Sequence, residues 1–165
     1  MKNKSLGMLV VVMLLLVLMA VVVNVFLGKA KEDFPNDITV KESGVTESIM
    51  EMRDLKLNPT ESKEYEVNLF CAASGEYDIT LDYEELADGG MKPFVDVTVT
   101  VGEEKIYEGR LEELHSEGMT VDFVGVLEAK DPLTVTFNYL MPYDIGNEAQ
   151  GTYSDFDVHI KIQKT

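Results

Sequence analysis

Apolar and polar residues take turns along most of this chain, and a period of two leaves little choice of fold. Tyr65, Val67, Leu69 and Cys71 alternate with Glu64, Glu66, Asn68 and Phe70. Tyr77, Ile79, Leu81 and Tyr83 alternate with Asp78, Thr80, Asp82 and Glu84. The same rhythm runs through Val95–Val101, Leu133–Tyr139 and Phe156–Ile162. Successive side chains of an extended strand point to opposite faces, so each run reads as a strand with one dry and one wet face. Valine, threonine, isoleucine and tyrosine suit that pleated surface. Between the runs stand Asn58-Pro59-Thr60, Ala73-Ser74-Gly75, Asp88-Gly89-Gly90, Gly102-Glu103-Glu104 and Lys130-Asp131-Pro132, all with turn chemistry. Weaker strands are expected near 38–41, 48–57, 105–111 and 119–128. A sustained 3.6-residue period is missing beyond residue 28, although residues 111–118 (LEELHSEG) suit one helical turn. Eight or nine short strands predict an all-β fold, an antiparallel sandwich of jelly-roll or Ig-like type over residues 38–165. Spacing does not choose between the two topologies.

Residues 1–28 are different. Leu6 to Leu27 is an uncharged apolar run of 22 positions, broken only by Gly7, Ala20 and Asn24. As a helix it is long enough to cross a hydrocarbon core of about 30 Å. Lys2 and Lys4 precede it, which predicts a cytoplasmic N-terminus and an outward-facing domain. The lipid bilayer is then a partner through residues 6–27. The run exceeds the 7–15 apolar residues typical of a cleaved leader, which favours a retained signal anchor. Gly28 and Ala30 still place small residues at cleavage spacing, so a signal peptidase and a secreted form remain alternatives. Residues 29–37, with Pro35, read as a charged linker.

From Lys29 onward, 12 basic residues face 30 acidic ones, a net charge of −18. Such a surface repels phosphate backbones and anionic lipid, so nucleic acid is excluded as a partner. Solubility, cation binding or a basic partner are the remaining implications. Cys71 is the single cysteine, so no intramolecular disulfide forms. Its apolar strand setting marks it as a small buried hydrophobe.

The catalytic inventory is thin. Neither HExxH nor GxSxG occurs, and no Gly-rich phosphate loop follows a strand. His115 is placed in a polar loop, and His159 on the wet face of the last strand. Glu84, Glu85 and Asp88 beside a Gly-Gly turn could hold calcium, which takes several oxygens. A solvated acidic rim is the default reading there. No metal site, cofactor or catalytic residue is assigned, and the chain reads as a non-enzyme.

Residues 141–152 (MPYDIGNEAQGT) interrupt the alternation. Pro142 withholds a ladder donor. Gly146 and Gly151 permit positive φ. Asp144 and Asn147 can bond their own backbone in Asx turns, and Asn147 and Gln150 can satisfy buried amides. Ile145 and Ala149 are the apolar members that could tuck under the sheet edge. With no nucleophile or paired base, Glu148 included, this reads as an ordered structural loop.

The stretch from Phe137 through Met141, Pro142, Asp144, Gly146, Asn147, Glu148, Ala149, Gln150 and Gly151, followed by Asp155-Phe156-Asp157-Val158, resembles the C-terminal signature of the TasA/camelysin family. Leu55–Ser62 resembles the family's L-x-P-G-[DE]-S turn, with Thr60 where glycine is usual. The resemblance implies a jelly roll exported by Gram-positive-type bacteria, often through a SipW-type signal peptidase. It implies surface or biofilm-matrix proteins, some assembling into fibres by strand complementation, with self-assembly or related surface subunits as partners. The donor strand would be Ile38–Val45, carrying Ile38, Val40 and Val45. Camelysin has been called a metalloprotease, but no metal-ligand constellation supports that reading here. A membrane-tethered acidic binding or sensor module, cation-binding in one version, is the alternative function.

Overall fold

A computed structural model describes residues 37–116 and 119–165. The apolar run 6–27, Gly28, Ala30 and the linker to residue 36 lie outside the described residues, and so do the expectations placed on them. Among the described residues no helix is long and apolar enough to cross a membrane.

The alternating runs all form strands. In chain order they are β1 (Asp37–Val40), β2 (Val45–Leu55), β3 (Ser62–Cys71), β4 (Gly75–Asp88), β5 (Asp96–Val101), β6 (Glu104–Arg110), β7 (Thr120–Leu127), β8 (Leu133–Leu140) and β9 (Ser154–Lys164). The helical turn expected at 111–118 is α1 (Leu111–Leu114). Two short 3-10 turns, Lys92–Phe94 and Asn147–Ala149, complete the set. The strands make two sheets, ordered β1-β3-β8-β5-β6 and β2-β9-β4-β7.

Three antiparallel pairs nest around the β5–β6 hairpin: β4 with β7, β3 with β8, and β2 with β9. The β5–β8 and β4–β9 pairings then join them into sheets. One pair departs from the antiparallel expectation, because β1 lies parallel to β3 with Ile38 opposite Leu69 and Val40 opposite Cys71.

The dry faces meet between the sheets. Tyr77, Ile79 and Leu81 of β4 and Phe156, Val158, Ile160 and Ile162 of β9 are buried against Val67, Leu69, Val97, Val99, Val135, Phe137 and Tyr139 of the other sheet. The described residues therefore form an all-β sandwich. Cys71 is buried and free, as its strand setting predicts. With no disulfide available, the interdigitated core is the main source of stability.

Candidate functional site

The two stretches that carry the family resemblance touch each other. Before β3, Glu61 closes a turn: its Oε2 accepts from the Asn58 backbone N–H at 3.0 Å and from Asn58 Nδ2 at 2.9 Å. Thr60 sits in that turn at φ 72°. Its N–H donates to the Met141 carbonyl at 2.8 Å, and the Met141 N–H donates to the Glu61 carbonyl at 3.0 Å. These bonds extend the β3–β8 ladder beyond Ser62 and Leu140. Met141 is fully buried, so the start of the 141–151 loop is fixed both by backbone and by side chain.

The loop is ordered differently from expectation. Its bonds are backbone ones: Ile145 N–H to the Pro142 carbonyl, Gln150 N–H to that of Asn147, and Thr152 N–H to that of Ala149. Thr152 Oγ1 donates to the same Ala149 carbonyl at 2.7 Å. The side chains of Asp144, Asn147, Glu148 and Gln150 belong to exposed residues and hydrogen-bond no other described residue, which corrects the Asx and amide-satisfying roles. Gly146 is corrected too: its φ is −78° and ψ −154°, extended backbone open to any residue. Gly151, at φ 79°, does use the left-handed region. Ala149 is buried and Ile145 half-buried, as the apolar pattern predicts. Tyr143, which the sequence pattern did not single out, is 84 % exposed near the start of the loop. Its place beside Pro142, just past the last strand position, was the available signal.

The donor segment does not stay in one piece. Ile38 and Val40 are buried and belong to β1, but Val45 begins β2 in the opposite sheet and is 43 % exposed. The chain turns between them at Gly44, φ 80°, while Thr46 Oγ1 accepts from the Lys41 N–H at 2.9 Å. The candidate donor is thus the four residues Asp37–Val40.

A third cluster forms around β4. Glu84 and Glu85 are consecutive strand residues, so they point to opposite faces. Glu84 meets His159 Nε2 at 2.9 Å on the outer face. Glu85 pairs with Lys92 Nζ, which also lies 3.3 Å from Asp88. The three carboxylates therefore do not converge, and the Lys92 ammonium already neutralises two of them. The Glu85 hydrogen bond holds the Lys92 pKa above its usual value. Among the described residues, no group of three His, Cys, Asp or Glu side chains could hold a metal ion.

His115 is not solvated in a loop. Its side chain is only 1 % exposed, 3.5 Å from Glu85 and edge-on to Phe156 at 5.2 Å between ring centroids. The α1 turn buries Leu111 and Leu114 and so carries the next residue inward. Burial pushes the imidazole pKa down, and Glu85 opposes that only in part.

No family model matches this chain, and no curated protein matches it in sequence. Solved structures that resemble it are distant. The C-terminal CBM6 of LamC from Zobellia galactanivorans has a TM-score of 0.35 and 12% identity, covering 73% of this chain and 100% of that one. PliG from Aeromonas hydrophila, a periplasmic inhibitor of g-type lysozyme, has a TM-score of 0.35 and 12% identity, covering 78% and 96%. The pre-peptidase C-terminal domain of a Bacillus anthracis collagenase has a TM-score of 0.28 and 13% identity, covering 79% and 93%. Likenesses this distant carry nothing about what the chain binds or does.

Proposed function

We propose that this chain is a non-enzymatic structural protein of the bacterial cell surface or extracellular matrix, of the TasA/camelysin type. Residues 6–27 hold it to the membrane as a signal anchor, or cleavage near Gly28 and Ala30 releases it. Its sandwich is a jelly roll, not an Ig-like domain. The nesting of strand pairs around the β5–β6 hairpin supports this, since a jelly roll is an eight-stranded double sheet built by such wrapping. Contact between the two signature stretches at Thr60 and Met141 supports the family reading.

The observation that carries the reading is the placement of β1. Four residues long, it lies on a sheet edge with β3 as its one hydrogen-bonded neighbour among the described residues. It still buries Ile38 and Val40 to within 6 % and 2 % exposure. A short strand with buried anchors and one neighbour can pass between copies, because the main-chain pairing and the two side-chain seats are the same in either subunit.

Cross-linking tests this. Thr39 and Phe70 are directly opposite and both exposed. Chains carrying only Thr39→Cys, co-expressed with chains carrying only Phe70→Cys, should be joined by a short bismaleimide into mixed dimers, and the double variant, with two accessible thiols per chain, into longer ladders. If those mixed chains stay unlinked while the double variant links only within itself, β1 is a private strand and the assembly reading fails.

One observation favours the second reading, an acidic binding or sensor module. The outer face of the β2-β9-β4-β7 sheet carries Glu47, Glu51, Glu76, Asp78, Asp82 and Glu84, with Lys161 opposite Glu47. A saturable calcium effect on melting would move the assignment there.

A further inference from the structure

The two sheets have four edge strands, and three of them are guarded. β1 is four residues long. β2 is broken by a bulge between Met52 and Leu55, with Asp54 at φ 52°. β6 carries Lys105 and Arg110 and pairs to β5 through a register shift. Short length, bulges and charges are the means by which sheet edges avoid unwanted pairing. β7 is neither short nor bulged and carries one charge alone. It is eight residues long, TVDFVGVL, in unbroken register with β4 from Gly75–Leu127 to Asp82–Thr120. It lacks lysine, arginine and proline, and Asp122 is its one charge. Val124 and Val126 on its outer face are 60 % and 61 % exposed. Among the described residues, nothing pairs with its free side.

From this geometry we infer that β7 is an acceptor edge for an extended, basic segment of another protein, which adds as a fifth strand to the β2-β9-β4-β7 sheet. The chemistry of both faces specifies the occupant. Behind Val124 and Val126, one strand further in, stand Asp78 and Glu76 of β4. The Asp122 carboxylate lies beside them, bound by Thr80 Oγ1 at 2.6 Å and Thr120 Oγ1 at 2.8 Å. A lysine or arginine on the incoming strand can lay its methylene stem over a valine and carry its charge back to these carboxylates. On the inner face Phe123, opposite Ile79, is left partly exposed at the sandwich rim, so the alternate residues of the guest are apolar. The recognised pattern is an apolar–basic alternation. A second copy is disfavoured at this edge, because β7 itself has no lysine or arginine to carry to Asp78, Glu76 and Asp122. This inference rests on β7 alone and stands whether or not β1 passes between copies.

The test uses the full-length chain and a peptide of about ten residues alternating valine and lysine, long enough to cover β7. In about 0.15 M NaCl, where long-range attraction is screened, the peptide should bind and slow hydrogen exchange at β7 amides. The V124K/V126K variant changes only exposed outer-face side chains, and its melting curve confirms folding. It should bind roughly tenfold more weakly or worse, because it places like charges opposite the guest. The same peptide with a central proline should also fail. Equal affinity for the variant or the proline peptide would mean diffuse charge attraction and would overturn the inference. So would protection at another edge, or no binding at all. Concentration-dependent protection of β7 without peptide would assign the edge to a second copy instead.

Discussion

Thr60 holds φ at 72°, a β-branched residue in the left-handed region. A Cβ there costs about 1–2 kcal/mol, and glycine's extra freedom in the unfolded chain takes back about half. Thr60→Gly should therefore stabilise the fold by about 0.5–1 kcal/mol, raising the melting temperature by about 2–4 °C. A fall would mean that the Thr60 side chain contributes something its exposed position does not reveal. The loop glycines separate in the same way. Gly151→Ala should cost about 1 kcal/mol, because φ is 79° although no atom lies within 4 Å of the added Cβ. Gly146→Ala, at φ −78°, should stay within about 0.5 kcal/mol of the parent in the same melts. His115 brings pH into the stability. Its folded pKa lies below the unfolded value of about 6.5, so the unfolded state takes up a proton first as pH falls. Stability is complete above that value and drains away as pH falls below it towards the lower folded pKa, by at most about 1.4 kcal/mol per pH unit. His115→Phe keeps a ring against Phe156 and Tyr83 but removes the proton. Its melting temperature should be flatter over that range, and an unchanged slope would place the pH dependence elsewhere.

Strands differ in how firmly they are held, and β1 and β9 mark the extremes. β9 pairs on both sides along most of its length, with β2 and with β4. β1 pairs on one side over four residues. Amides of β9 should exchange hydrogen only through global unfolding, whereas β1 should open locally and exchange much earlier. Equal protection would argue against an exchangeable strand, and with it against the assembly proposal. The strands were legible in the sequence because burial on one face imposes a period of two. Tyr77, Ile79 and Leu81 announce their inward face without any tertiary knowledge. What joins the strands was not legible. Alternation is blind to the partner, so neither the nested pairs nor the parallel β1–β3 contact could be read. The clamp between Thr60 and Met141 consists of backbone bonds between residues distant in sequence, and backbone groups carry no sequence signature. The burial of His115 is hidden because Glu112, Glu113 and Ser116 around it are polar, while Tyr83 and Phe156, which pack against it, lie on strands distant in sequence.

At the scale of the whole molecule, charge sets the conditions under which everything else operates. Residues 29–165 carry a net charge of −18, and the sandwich has to hold it without a disulfide. The ion pairs that exist are local. Lys92 answers Glu85 and Asp88, and Arg53 lies 2.6 Å from Asp157. Most carboxylates on the outer sheet face have no such answer, and their mutual repulsion favours expansion. Simple salt should then stabilise the fold, as the screening length falls from about 30 Å at 0.01 M to about 3 Å at 1 M. Melting temperature should rise smoothly with NaCl over that range and level off once the screening length is shorter than the spacing between carboxylates. Calcium provides the contrast. Glu84 is turned toward His159 while Glu85 and Asp88 hold Lys92, so no described carboxylate group is arranged to enclose the ion. Calcium should act as a stronger screening ion, without a saturating step near one equivalent. A stoichiometric step in the calorimetric titration would instead mean that the acidic face gathers into a site when the ion arrives. The acidic-module reading would then displace the structural one.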